Sequence, residues 1–309
     1  MGNFLNFIGG SVLAIAFLSA AQAADMPLKA KAPPLPPVVS WTGWYVGLNA
    51  GGIWPNSDGV TSTALAGPCT TAFNGCRSVP SYSTTLATGS AFNTGLGNGA
   101  GFIGGGQFGY NWQFNGRGIA GFETDIAWTN QSRGANFASG TPNPGFPGFP
   151  EIYTATVSSH LDYLGTVRGR LGFLAAPSFL LYGTGGLAYG GARGSTVESA
   201  VVPACAATGS TCSGLGGGGF SQVRVGWTAG VGGEWMFAPN WSAKLEYLYY
   251  DLGSVNYATA LSQFCTGVGC AVNGGVLAST TGNTSLRYTG SILRVGVDWH
   301  FSAPLVARY

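Results

Sequence analysis

The chain has 309 residues, with 13 Lys or Arg against 11 Asp or Glu, a net charge of +2 and only 8% charged positions, about a third of the roughly 25% usual for soluble domains. A soluble protein of this length would be short of charge for its surface, and so even a balance gives nucleic acid no electrostatic footprint. Fifty-three glycines and 13% aromatic residues favour many short strands and turns over long helices.

Residues 1–23 read as a signal peptide: an apolar run closed by Ala21-Gln22-Ala23, the small-x-small pattern of a signal peptidase site. No Lys or Arg precedes that run, which departs from the usual pattern. Residues 24–40, rich in proline, read as an extended linker. After Ala23 no stretch of 18 uninterrupted apolar residues occurs, so a membrane location would require a closed barrel and not a helix.

Eight alternating segments follow: Trp41 to Ile53, Gly101 to Asn115, Gly118 to Asn130, His160 to Leu174, Phe179 to Ala192, Gln222 to Phe237, Trp241 to Leu252 and Leu286 to Phe301. Each meets the roughly 9 to 11 residues that a tilted strand needs to cross a bilayer. Short links with turn chemistry, Asn115-Gly116-Arg117, Ala175-Ala176-Pro177-Ser178 and Ala238-Pro239-Asn240, alternate with long ones over 54–100, 131–159, 193–221 and 253–285. The predicted fold is therefore an all-β, eight-stranded antiparallel transmembrane barrel over residues 41–301, with short periplasmic turns, four long extracellular loops and a C-terminal extension at 302–309.

Side-chain parity assigns the two faces. In the segment GFIGGGQFGYNWQF, Phe102, Phe108, Tyr110, Trp112 and Phe114 share one parity, and Gln107, Asn111 and Gln113 the other. Later strands put their scarce charges on one parity opposite aromatic and aliphatic residues, as where Arg168 and Arg170 oppose Leu161, Tyr163, Val167, Leu171 and Phe173. An Arg or Lys facing lipid at mid-depth costs about 2–4 kcal/mol, so the charged parity points into the lumen. That places Glu123, Asp125, Asp162, Glu234, Glu246 and Asp298 against Arg168, Arg170, Arg224, Lys244 and Arg294 inside. An eight-stranded interior is just wide enough for side chains to fill it, and near-balanced charges there should pair and occlude it. Inward glycines such as Gly105, Gly226 and Gly232 leave a thin water path as the alternative. A soluble exported sandwich would also satisfy the parity, but gives no reason for the loop asymmetry.

The cysteines form three close pairs, Cys69 with Cys76, Cys205 with Cys212 and Cys265 with Cys270, each in a polar segment. Their even number after an export signal predicts local disulfides. Neither His160 nor His300 is near enough in sequence to complete a metal site, and no cofactor is expected. Gly104 to Gly109 matches G-x-G-x-x-G but lies within an alternating strand, which removes the nucleotide reading. Ser158, Ser159 and His160 beside Asp162 raise a Ser-His lipid hydrolase as a sharp alternative, against which His160 falls on the inward parity. His300 is expected to pair with Asp298 or with water.

The stretches SWTGWYVG (40–47), LDYLGTVRGRLG (161–172) and KLEYLYYDLG (244–253) resemble the small outer-membrane proteins of alphaproteobacteria related to the opacity proteins, often called outer-membrane immunogenic or porin-family β-barrel proteins. The resemblance covers most of 41–301 outside the loops. It implies an eight-stranded barrel with a surface role in the outer membrane and transfers no catalytic residue. Relatives usually stop at the terminal aromatic of the last strand, so either Phe301 or Tyr309 serves as the insertion signal for the barrel-assembly machinery. The functional expectation is non-enzymatic envelope structure and surface presentation amid outer-membrane lipid and lipopolysaccharide, with a narrow passive channel as an option. The competing class is an adhesin whose loops bind an extracellular ligand or host surface.

Overall fold

A computed structural model describes residues 40–56, 58–68, 82–142, 150–203, 205, 209–268 and 275–301. The signal peptide, nearly all of the linker, the C-terminal extension with Tyr309, and Cys69, Cys76 and Cys270 lie outside these residues.

One antiparallel sheet contains ten strands: β1 Gly43–Pro55, β2 Gly59–Ala66, β3 Phe92–Gly95, β4 Gly101–Phe114, β5 Gly118–Thr141, β6 Glu151–Ala176, β7 Phe179–Val201, β8 Ser210–Ala238, β9 Trp241–Gly267 and β10 Gly275–His300. Eight of them, β1 and β4 to β10, pair in sequence and close through β1 with β10, Ala50 lying opposite Val295. The short turns are where the sequence places them. In the first, Asn115 and Gly116 both have positive φ (49° and 72°), the left-handed pair that matches hairpin twist.

The other ends differ from expectation. Four long irregular loops were predicted; instead β5 to β10 run on for 23–29 residues each, two to three times the length needed to cross a bilayer. Their outer halves are rich in Gly, Ser and Thr, and this polar composition masks strand alternation. The first long link also folds. It forms β2 and β3, with β2 pairing to β10 above the point where β1 ends, and the helix α1 Tyr82–Ser90. Leu86 and Ser83 of α1 are buried, and the Ser83 hydroxyl accepts the Ser279 amide of β10 at 3.4 Å.

The outward parity is that of Phe102, Trp112, Phe122, Trp128, Leu187, Val225, Trp227, Trp235 and Val295, all exposed. On β8 the outward apolar series runs from Val223 through Trp227 and Trp235 to Phe237, fourteen residues or about 46 Å of strand, enough to cross an apolar band about 25 Å tall at the usual barrel tilt. The interior above this band is an apolar core that parity reading missed: Ile53, Leu86, Ile103, Val157, Leu161, Leu248, Leu261, Leu286 and Ile292 among others. A smaller apolar cluster, Trp41, Ile119, Leu174, Leu180 and Tyr182, closes the short-turn end. Trp41 was expected to begin the first strand. It instead folds under the barrel, its indole Nε1 donating to the Pro177 carbonyl at 3.0 Å.

A bulge in β6 explains two reversed faces. Its pairing with β7 slips between Leu161 and Leu164, and such an extra residue flips the alternation beyond it. Leu161, expected to face lipid, is therefore buried, whereas His160, expected inside, is exposed. Of the cysteines, Cys205 and Cys212 are disulfide-bonded to each other, and Cys265 is also a half-cystine.

Candidate functional site

Between the two apolar clusters lies a layer of charge. β5 carries Glu123 and Asp125 inward because they alternate with lipid-facing Phe122, Thr124 and Ile126. β6 sets Arg168 directly opposite Glu123. The Arg168 guanidinium holds three carboxylates at once: Glu123, Asp125 at 2.8 Å and Glu246 of β9 at 2.9 Å. Its Nε donates to the Thr166 hydroxyl, which in turn donates to Asp125 at 2.6 Å. From the far wall, Arg294 of β10 meets Glu246 at 2.7 Å and Asp125 at 3.0 Å. Lys244 of β9 donates to the second oxygen of Glu123 at 2.7 Å.

Arg170 occupies the level below. It donates to Glu234 of β8 at 2.7 Å and to the Tyr45 hydroxyl at 2.6 Å, and its guanidinium lies 4.0 Å from the Tyr182 ring centroid, a cation–π contact. Tyr45 then donates to Glu123 at 2.8 Å. The Ser242 hydroxyl donates to Glu234 at 2.6 Å and lies 2.9 Å from His300 Nε2. His300 also lies 3.3 Å from Glu234, so its carboxylate neighbour is Glu234 and not Asp298. Asp298 accepts from Gln107, which accepts from Asn49 at 2.9 Å. Every charged member is nearly inaccessible to water: Glu123, Glu234 and Asp298 are 0% exposed and Lys244 only 3%.

The cluster thus unites Glu123, Asp125, Glu234, Glu246 and Asp298 with Arg168, Arg170, Lys244 and Arg294. Asp162 and Arg224 stand apart. Asp162 lies in the β6 bulge and pairs with the exposed Arg193 of β7. Arg224 reaches across to β9, donating to the Ser254 carbonyl at 3.0 Å, where the β8–β9 ladder is interrupted between Gly217 and Trp227. Neighbours crowd two of the partly exposed glycines offered as leaving a water path. A Cβ on Gly232 would lie 2.5 Å from the Tyr182 ring, and one on Gly105 would lie 2.0 Å from the Ile126 carbonyl oxygen.

Three interior ionisable residues escaped the sequence reading because they lie in segments read as loops. Arg133 of β5 donates to the Asn56 carbonyl at 2.8 Å and to that of Arg287, tying the outer barrel to the chain that leaves β1. Glu151 and Glu198 lie at the outer ends of β6 and β7, well beyond the apolar band, and both are buried. Burial pushes the Glu151 carboxyl up to about 7 and raises that of Glu198, offset in part by hydrogen bonds from the Tyr153 and Thr259 hydroxyls.

The hydrolase constellation does not assemble. The Ser158 hydroxyl bonds the Ser195 hydroxyl at 2.8 Å, Asp162 is engaged by Arg193, and His160 and Ser159 lie on opposite faces of β6. Phe301 follows β10 directly: its amide donates to the Trp44 carbonyl at 2.9 Å and its ring packs on Trp299.

The family model and the sequence relatives agree with this architecture. A family model described as the outer membrane protein beta-barrel domain matches residues 10–301. The 31 kDa outer-membrane immunogenic protein of Brucella melitensis is 32% identical over 255 residues, 82% of this chain and 89% of the relative. The 22 kDa outer membrane protein of Rhizobium leguminosarum is 29% identical over 159 residues, 52% of this chain and 56% of that protein. Among solved structures, the outer membrane protein OprG of Pseudomonas aeruginosa aligns over 86% of this chain and all of its own at 12% identity and a TM-score of 0.36.

Proposed function

The chain belongs to the outer membrane protein beta-barrel domain family, and from that premise we propose that it is a closed, non-enzymatic barrel of the outer membrane that stiffens the envelope and presents a β-extended surface. The observation carrying this reading is the stacking of three filled layers along the lumen. An apolar plug containing Trp41 lies below, the charge cluster crosses the middle, and the apolar core with α1 fills the outer half. A conducting pore needs a continuous hydrated path. Here the mid-level side chains have at most a few per cent of their surface open to water, and each carboxylate is met by at least one cation or hydrogen-bond donor.

Single-channel recording of the purified full chain in planar bilayers tests it. The expected record is flat, with at most brief, small openings, and steady large conductance steps would refute closure. The surface role has separate support: strands twice the spanning length and a first long link folded as β2, α1 and β3 make the outer end a rigid platform. Binding of an extracellular ligand by that platform is the second reading. Removal of 143–149, which joins β5 to β6, with loss of host-cell binding and an intact barrel would favour it.

A further inference from the structure

Among the described residues, charges on the outside of the barrel wall are confined to one level. Asp162, Arg193, Asp251 and Arg287 have partly or largely open side chains, while the other charged strand residues face inward, apart from Arg224 in the β8–β9 gap. This level begins where the lipid-facing apolar parity ends: on β7 the outward series runs Leu187, Tyr189, Gly191, Arg193, and on β9 it runs Tyr247, Tyr249, Asp251. It also coincides with the register slips of β6 and β10, between Leu161 and Leu164 and between Arg287 and Thr289.

A polar pocket of about 420 Å³ opens here, lined by Ser158, His160, Arg193, Gly194, Ser195 and Phe220. Asp162 accepts from Arg193 Nη2, which fixes the guanidinium at the pocket while other donors of its fork stay available. The β6 bulge turns His160 to this outer face, and the linked Ser158 and Ser195 hydroxyls add two groups suited to sugar or oxyanion contact. Directly below lie the exposed apolar side chains Leu187, Val223 and Val225.

We propose that this pocket binds the anionic sugar headgroup of an outer-leaflet glycolipid, lipopolysaccharide, with Arg193 and His160 on the phosphate or carboxylate and the acyl chains lying on the apolar face beneath. The inference rests on the outer-membrane location. A lipid is favoured over a soluble anion because the polar pocket and the lipid-facing surface are continuous, so a single amphiphile satisfies both.

The test uses the full chain folded in neutral phosphatidylcholine vesicles, with the temperature at which its compact gel band converts to the unfolded band as readout. Added lipopolysaccharide should raise that temperature for the native protein. Arg193→Ala should bind it about fivefold more weakly, the usual effect of one basic residue at an anionic membrane surface. Arg193→Lys should lie between the two, and Thr63→Val, exposed on β2 and outside the pocket lining, should match the native protein. If the Arg193→Ala protein does not fold, His160→Ala with Arg193→Lys replaces it. Equal stabilisation of native and pocket variants would overturn the proposal. So would an equal shift from inorganic phosphate alone, which would assign the pocket to a soluble anion. A native barrel that forms but gains nothing from lipopolysaccharide would refute this site and leave the closed-barrel reading standing.

Discussion

Replacing Arg168 by Met is the sharpest probe of the charge layer. The Arg168 side chain is fully buried and contacts three carboxylates, and Met fills a similar length without charge. The cluster would then hold five carboxylates against Arg170, Lys244 and Arg294. Removing one partner of a buried ion pair costs about 3–5 kcal/mol, because the survivor keeps its desolvation penalty. Here Glu123 retains Lys244 at 2.7 Å, Asp125 retains Arg294 at 3.0 Å and Glu246 retains Arg294 at 2.7 Å. Those remaining contacts place the expected loss at the lower end, about 3 kcal/mol. Adding Glu123→Gln restores the balance, and the pair should couple favourably by about 2 kcal/mol. Urea titration of protein folded in vesicles, followed by the nine tryptophans, measures all four corners of the cycle. A loss below about 1 kcal/mol, or a double variant no better than the sum of the singles, would show that the network does not bear on stability as argued.

Two further outcomes follow from the outer half. Burial raises the Glu151 carboxyl from its ordinary value of 4.5 to about 7, so its protonated form is the one the fold prefers. The stability this confers is fully present below the unfolded value and is lost as pH rises through the folded one; protease resistance of the outer end should therefore fall between about pH 5 and 8, and Glu151→Gln should make that fall shallower, leaving the part of the same sign due to Glu198. A rise over the same interval would contradict the burial argument. Leu86→Ala in α1 removes a fully buried side chain and should cost about 2–5 kcal/mol locally, speeding proteolytic cleavage within 56–100 while the unboiled gel band keeps its mobility. Unchanged cleavage would mean that α1 is not a packed plug.

The spanning half of the fold was legible because lipid makes parity a strict signal: a charge can go only inward, and residues such as Arg168, Arg170, Glu234 and Lys244 mark the inside face by themselves. The outer half was not, for two reasons. Once a strand leaves the bilayer, Gly, Ser and Thr are tolerated on its outer face, so β8 from Ser210 to Gly219 reads like a loop. An added residue in a bulge leaves no mark in composition, so the reversal that buries Leu161 and exposes His160 could not be read from alternation, which assumes an unbroken period. Asp162 failed for the same reason, since it sits in the bulge itself. The filling of the glycine positions was hidden because it depends on which large neighbour, Tyr182 over Gly232 or Tyr45 over Gly109, leans across from the adjacent strand.

Charges remain in a lumen that apolar side chains could fill, and register gives a physical reason. A strand apolar on both faces can slip by one residue in lipid at little cost, whereas slipping β6 would turn Arg168 and Arg170 to the hydrocarbon at about 2–4 kcal/mol each near mid-depth. The same holds for Lys244 on β9 and Arg294 on β10, and a smaller cost of the same sign for Glu123 and Asp125 on β5, Glu234 on β8, Glu246 on β9 and Asp298 on β10. β7 carries no inward charge at this level but is clamped between two strands that do. β1 and β4 form the one adjacent uncharged pair, and they are also the shortest barrel strands. Their register is held by β10 on one side and β5 on the other, with Tyr45, Asn49 and Gln107 reaching into the cluster. The charge layer thereby specifies strand register around the closed ring, and it closes the lumen as a consequence of being fully paired.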